Sequence, residues 1–555
     1  MFVRIKKTPN SEKTAVQIVE SVRKGATVTQ KIVRHIGYAF DGDELEKLKL
    51  LAEAIKIKLE ADGQQLLFSP EKMAELSRHT DKAKDDSADS YNVNLKDLVE
   101  EQRLISGIHD IYGKLFDQQG FASIFSNPAR QKAMVDAFRN IVLARIANPQ
   151  SKLASVDMLE ENFGVSIDLQ RVYRMMDLLD TETIEKLNDL VYKNTSQLFG
   201  DKIDVVFFDV TTIYFESFTS DDLKDLGFSK DLMFNQPQIL LALVVNKEGF
   251  PLGYKVFPGS TYEGHTLVPM LLELRQRYQI GKVIMVADGG MCNKDNIEAL
   301  EKEGFEYIIG ARLKSLNDNL KEKVLDRQHY KGNDEHSIGQ FKYTENKKLV
   351  VSYKASRARK DALDRERALE RLKKKLEKQK NPKDYLSNQG YKKYLKVSGA
   401  STLELDKDKI KADSRWDGLH GVVTNAREIT EEEILKQYGN LWHVEEAFRI
   451  TKHDLKVRPI FHWTPNRIQA HLAICFTAYA LVRQLEHQIN LQYKNMSIEK
   501  IRQCLMQVQT SVLYHAKKKI RFALPARITQ DAQRIYHALG LKRSVTPWII
   551  KGVPD

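Results

Sequence analysis

Cysteine is scarce in this chain. Cys292, Cys475 and Cys504 are scattered over 555 positions with no Cys-x2-Cys spacing. That excludes a disulfide scaffold, argues against a zinc site and points to a reducing compartment. Long apolar runs are missing too: the longest, Leu472 to Val482, is too short to span a bilayer and reads as a buried helix. The opening residues, MFVRIKKTPN, hold no apolar signal core, so a cytoplasmic protein with no membrane partner is expected. Gly289 and Gly290 lack the Lys-Ser/Thr of a phosphate-binding loop, and ATP is not implied.

What is present is a soluble, basic composition: 42% hydrophobic residues, 29% charged, a net charge of +12 and a pI near 9.1. The length exceeds one core, so two to four domains are expected. The positive balance suits a polyanionic partner without demanding one.

Along the chain, residues 1–78 open with Val/Ile/Thr-rich segments that predict a small β-strand region, followed by a helix near Asp43 to Leu59. Residues 79–92 are polar and aperiodic and read as a linker. Residues 93–200 have helical apolar spacing throughout. Within them, Leu153 to Leu179 predicts helix, Gly164 turn and second helix, with Gln170, Arg171 and Arg174 exposed. That shape fits a helix-turn-helix whose second helix enters a DNA major groove, and equally an ordinary helical hairpin. Residues 201–313 switch to strands alternating with helices, 314–416 interrupt that pattern, 417–490 return to it, and 491–555 read as a C-terminal helical region. Inside the interruption, Arg357 to Lys380 is a helix with eleven Lys/Arg against five Asp/Glu. It is either a solvated face or a surface for a phosphate backbone.

Three carboxylates stand out. Asp209 sits in the middle of a Val/Phe strand, KIDVVFFDVTTIYFES, where an unpartnered charge is costly; it is either salt-bridged or a metal ligand. Asp288 ends a later strand in VADGGM, a position where α/β proteins carry function. The third, Glu445, belongs to QYGNLWHVEEAFRITKHDLKVR, whose spacing predicts one helix over Gln437 to Arg458. Tyr438, Glu445 and Lys452 are spaced by seven, so they share a stripe drifting only about 20° per step. Glu446 would point about 100° away. Trp442 and Arg449 border the stripe, and Trp442 is expected to pack against the core. An ordinary surface helix also carries such Glu and Lys residues.

Tyr438, Glu445 and Lys452, with the HDLKVRPIFHWTPNRIQAHLAICFTAYAL that follows, resemble the Tyr-x2-Arg-x3-Glu-x6-Lys signature of a group of bacterial insertion-sequence transposases of the DDE type. FFDVTTIYFES and VADGGM are similar to the two aspartate strands of the same group. Leu441 stands where the signature has Arg, and Arg449 or His443 are the candidate stand-ins. The resemblance implies an α/β fold: a ribonuclease H-like mixed sheet with flanking helices, an inserted α+β subdomain, and a small β plus helical N-terminal region. It implies Asp209, Asp288 and Glu445 as the catalytic, metal-binding triad, with Tyr438 and Lys452 on the DNA backbone. Three close carboxylates repel unless a cation sits among them, and oxygen ligands suit two Mg²⁺ or Mn²⁺ ions. Implied partners are double-stranded DNA, as terminal inverted repeats and target, and a second copy in a synaptic homodimer, with nucleoid association when DNA is bound. A nuclease that cuts without joining, and a non-catalytic DNA-binding derivative, are the rival readings.

Overall fold

The computed structural model describes residues 1–7, 14–24, 27–39, 42–60, 92–200, 203–216, 219–227, 235–278, 284–291, 293–376, 393–398, 402–493 and 496–550. All but the last residue of the expected 79–92 linker lies outside them. The chain forms two compact units: Met1–Lys202 with Phe250–Tyr254 and Ala447–Asp555, and Ile203–Gly249 with Lys255–Glu446.

The first unit begins with an antiparallel meander of β1 (Phe2–Lys7), β2 (Thr14–Lys24) and β3 (Thr27–Ala39), followed by the helix Gly42–Glu60. Val16 and Ile18, two apart on β2, face one way and bury against Ala52 of that helix, with Val3, Ile36, Leu45, Leu48 and Ile55 around them. The next segment departs from its expected helical state: Leu98–Ile105 is a strand, β4. Helices follow at Lys132–Ala147, Lys152–Phe163, Leu169–Asp177 and Thr181–Leu198. Phe138 is fully buried, with its ring 5.7 Å from those of both Phe116 and Phe125. Asp168 starts the third of these helices by accepting from the Gln170 N–H at 3.2 Å.

The second unit is organised on a nine-stranded sheet. In chain order its strands are β5 (Val205–Tyr214), β6 (Gln238–Asn246), β7 (Pro251–Pro258), β8 (Ile284–Ala287), β9 (Glu306–Gly310), β10 (Tyr330–Gly332), β11 (His336–Lys342) and β12 (Lys348–Lys354). After the hairpin of β13 (Leu395–Ser398) and β14 (Thr402–Leu405), β15 (Leu419–Thr424) completes it. The sheet runs β10-β11-β12-β15-β9-β8-β5-β6-β7. β5 is antiparallel to β6 and parallel to β8, and β8 is parallel to β9. The stretch β9-β8-β5-β6-β7 is the ribonuclease H-like order, with the first strand central. β6 holds the apolar run Ile239–Val245 because both faces of the sheet are covered there: every residue of the strand is buried.

The interruption at 314–416 does not stand wholly apart from that sheet. β15 pairs antiparallel with β9, and β12, β11 and β10 add on beyond it in antiparallel register. An open edge is a template for further strands, and Leu349, Val350 and Val351 are buried there.

Back in the first unit, the helix Pro465–Gln492 takes Pro at its first turn and buries most of its length. The expected helical C-terminal region holds the helices Ile498–Met506 and Gln530–Ala538, and also β16 (Gln509–His515), β17 (Ile520–Pro525) and β18 (Trp548–Ile550). These three join β4 in the order β18-β17-β16-β4. Strand pairing across the chain overrides the local helical pattern of LVEEQRLI: the Ser106 hydroxyl donates to the carbonyl of Val508, 402 residues away. Among the described residues no helix is long and apolar enough to cross a membrane.

Candidate active site

Asp209 is the one charged residue of β5, and it is one of only two residues of that strand that are not buried. Its carboxylate accepts from the Val210 N–H at 2.8 Å. In the parallel pair β5–β8, Phe208 lies opposite Ala287. Asp209 and Asp288 are each the next residue, so they emerge side by side on strands about 4.8 Å apart. Asp288 is fixed by the tight turn that follows β8: its carboxylate accepts from the Gly290 N–H at 2.8 Å, and its carbonyl from the Met291 N–H at 3.2 Å. Residues roughly eighty positions apart are thus neighbours through sheet register alone.

The expected single helix over Gln437 to Arg458 is broken. It consists of the helix Glu431–Gly439, a turn at Asn440 and Leu441, the helix Trp442–Arg449, and a π-helical turn Ile450–Asp454. A turn and a widened π segment each alter the rotation per residue, so the spacing of seven does not give one straight stripe. Glu445 nonetheless lines the same cleft as Asp288, and Glu446 does not. This cleft, about 560 Å³, also takes His336, Lys354, Arg357, His420, Lys436, Tyr438, Leu441 and Trp442 into its wall. Asp209 is not part of its lining and is linked to it through its neighbour Asp288.

Tyr438 is clamped within the second unit. Its ring lies 4.9 Å from that of His420, and its hydroxyl packs so closely on Gly310 that any Cβ there would collide with it. Trp442, expected to pack against the core, is 49% exposed and lies against the His443 ring at 3.9 Å. His443 is half-buried, with Phe207 on another side at 6.2 Å. Leu441 is buried at 7% exposure. Burial, with Arg357 and Lys354 adding to it, pushes the His420 imidazole down to about 4, so it is neutral near pH 7.

Arg449 and Lys452 belong to the first unit. There Arg449 is exposed and pairs with Asp454 at 3.4 Å, and Lys452 is half-buried on the π turn. Gln170, Arg171 and Arg174 are exposed on the helix Leu169–Asp177, whose other face buries Val172, Met175 and Met176.

Among the described residues no three His, Cys, Asp or Glu side chains converge as a ready metal cage. The acids come together pairwise, Asp209 beside Asp288 and Asp288 facing the cleft with Glu445. Such an oxygen-only, open set fits ions of the Mg²⁺ class, which keep waters and complete their shell with substrate oxygens. It does not fit a closed structural site. The cleft residues His336, Lys354, Arg357 and Lys436, and the neutral His420, escaped the sequence reading. Only the basic helix after β12 carried a signal for any of them.

A family model described as the transposase DDE domain matches residues 200–481, and one described as the IS1634 family transposase N-terminal domain matches residues 3–65. No curated protein matches the chain. Among solved structures, the chain is similar to a piggyBac transposase synaptic complex with hairpin DNA, at 10% identity over 73% of this chain and 76% of that one, with a TM-score of 0.37. It is also similar to a Mos1 transposase paired-end complex with left transposon end, at 14% identity over 46% and 70%, with a TM-score of 0.14. These superpositions are too loose to decide anything; the strand order carries the fold.

Proposed function

The chain belongs to the family of transposases with a DDE domain, of the bacterial insertion-sequence type, and from that premise we propose that it cuts the ends of its element and joins them to target DNA. The observation that carries this reading is that Asp209, within β5, and Asp288, just past the end of β8, are neighbours in the sheet register, with Glu445 lining the cleft that Asp288 opens into.

Asp209, Asp288 and Glu445 would hold two Mg²⁺ or Mn²⁺ ions. Such ions supply Lewis-acid chemistry, activating an attacking oxygen and stabilising the leaving one in phosphodiester exchange. The protein's own part is to orient and to exclude alternatives. The two aspartates sit on a rigid sheet, so their oxygens are fixed before substrate arrives. Tyr438, held against Gly310 and His420, presents a fixed surface to the DNA backbone. In the first unit, Arg171, Arg174 and Gln170 form an exposed polar helix face suited to duplex DNA, and Lys452 and Arg449 are further candidate backbone contacts. A homodimer that pairs two element ends, and a cytoplasmic, nucleoid-bound location, complete the reading.

The test uses a duplex bearing the DNA that borders the reading frame, a target plasmid and Mg²⁺. Wild-type protein is expected to yield joined products. Asp209→Asn, Asp288→Asn and Glu445→Gln should each lower cleavage by at least about a thousandfold while duplex binding persists. Cutting without joining would leave a nuclease; binding without cutting would leave a DNA-binding derivative.

A further inference from the structure

Leu441 occupies the signature's arginine position, and it is buried in the cleft wall. Neither expected stand-in is suited to replace that cation. His443 is half-buried between the Phe207 and Trp442 rings, and Arg449 is engaged with Asp454. The cleft draws positive charge from a different source, the inserted segment. Lys354 ends β12, and Arg357 lies in the first turn of the helix Ala355–Leu376 that continues it. Both are exposed, both line the cleft with Asp288 and Glu445, and among the described residues neither forms an ion pair. Lys436, the other strong cation of the wall, is already paired with Glu433 at 3.4 Å.

That helix is held firmly. Arg365 grips Asp417 through two hydrogen bonds of 2.5 and 2.6 Å, with both side chains largely buried. Asp361 accepts from the Gly418 N–H at 3.0 Å, and the Lys354 N–H donates to the Gly418 carbonyl at 3.0 Å. Gly418 has φ +77°, and a Cβ there would press on the Lys354 carbonyl oxygen at 2.7 Å, so the junction needs glycine. Arg357, Asp361 and Arg365 follow at four-residue intervals and share one helix face. The face that anchors the helix is therefore the one that carries Arg357.

Resting on the transposase reading, we infer that Arg357, with Lys354 beside it, clamps a backbone phosphate of the DNA strand lying against Asp288 and Glu445. The inserted segment, rather than the signature helix, supplies the cation. A guanidinium fork takes two phosphate oxygens at once, whereas an ammonium acts as a point charge. With the helix backbone already anchored, only the rotamers of the side chain itself remain to be ordered on binding.

The experiment measures steady-state cleavage and duplex affinity across a salt series, using the same bordering duplex. Arg357→Ala should raise KM roughly tenfold, leave kcat within about twofold and lower the slope of log affinity against log salt by about one. Arg357→Lys should keep the slope and regain only part of the affinity. Arg359→Ala removes an equal charge from the same helix, where Arg359 is exposed and pairs with Glu335 at 3.5 Å, and should match wild type. An Arg357→Ala protein with wild-type KM and slope overturns the inference, as does an equal loss in Arg359→Ala. If wild-type protein itself cuts no DNA with Mg²⁺, the transposase reading fails and the inference falls with it.

Discussion

Two sets of polar groups, one in each unit, are held in different ways. In the first, Arg145 and Lys152 are buried and hydrogen-bonded inside the protein. Arg145 donates to the carbonyls of Gln150, Leu455 and Lys456, and Lys152 donates to His471 Nδ1 at 3.1 Å. His471 Nε2 in turn donates to the Val457 carbonyl at 3.1 Å. In the second, Asp209, midway along β5, and Asp288, just past the end of β8, are half-buried, and Glu445 is exposed in a cleft. A buried group with all its partners inside the protein holds structure together. A group fixed by its backbone but turned toward a cleft is available for chemistry.

Four measurements bear on this contrast, from the strongest effect to the weakest. The triad substitutions should abolish cleavage yet leave the thermal midpoint within a few degrees, because Asn and Gln keep the side chain's shape and an oxygen that accepts the same backbone N–H groups. A large destabilisation by Asp209→Asn would make that residue a structural one. Phe138→Ala, in the first unit, should do the reverse and cost about 3–5 kcal/mol in urea unfolding. Its remaining folded fraction should cut DNA at the normal rate.

Lys152 offers a pH test. Burial, and then the nearby Arg145, brings its ammonium down to about 7, with the Cys475 thiol opposing; His462 and His471 also face it. Between about pH 7 and the ordinary 10.5 the unfolded chain holds a proton that the folded chain has released. Stability contributed by this group therefore rises with pH across that window and is lost as pH falls through it. Urea midpoints at pH 7.5 and 9.5 should show the rise in wild type and a flatter response in Lys152→Met. The smallest effect is expected from Arg171→Ala and Arg174→Ala. Each should weaken duplex binding a few-fold and reduce the salt slope by about one, with kcat unchanged. An unaltered salt slope in both would remove that helix from the DNA interface.

Much of the candidate site is legible in the residues. Asp209 is conspicuous because a carboxylate within VVFF is costly unless it has work to do, and Asp288 because it ends an apolar strand before two glycines. Glu445 is distinguished from Glu446 by helical rotation, and it is Glu445 that lines the cleft. The break at Asn440 and Leu441 leaves a signal, Gly439 followed by Asn440 at the end of the first helix, which the spacing of seven outweighed in the expectation of one helix. β4 is not legible, since LVEEQRLI carries residues that favour helix but becomes a strand against β16.

By itself the sequence determined which segments alternate with period two and which with period three to four, and where acids stand within them, because those patterns depend only on neighbours along the chain. Tertiary structure decided that Phe208 lies beside Ala287, that β12 extends the core sheet, and that Arg357 faces the acids from an inserted helix. These are pairings between distant segments, chosen by the free energy of covering apolar edges and faces, and no short window of residues encodes them.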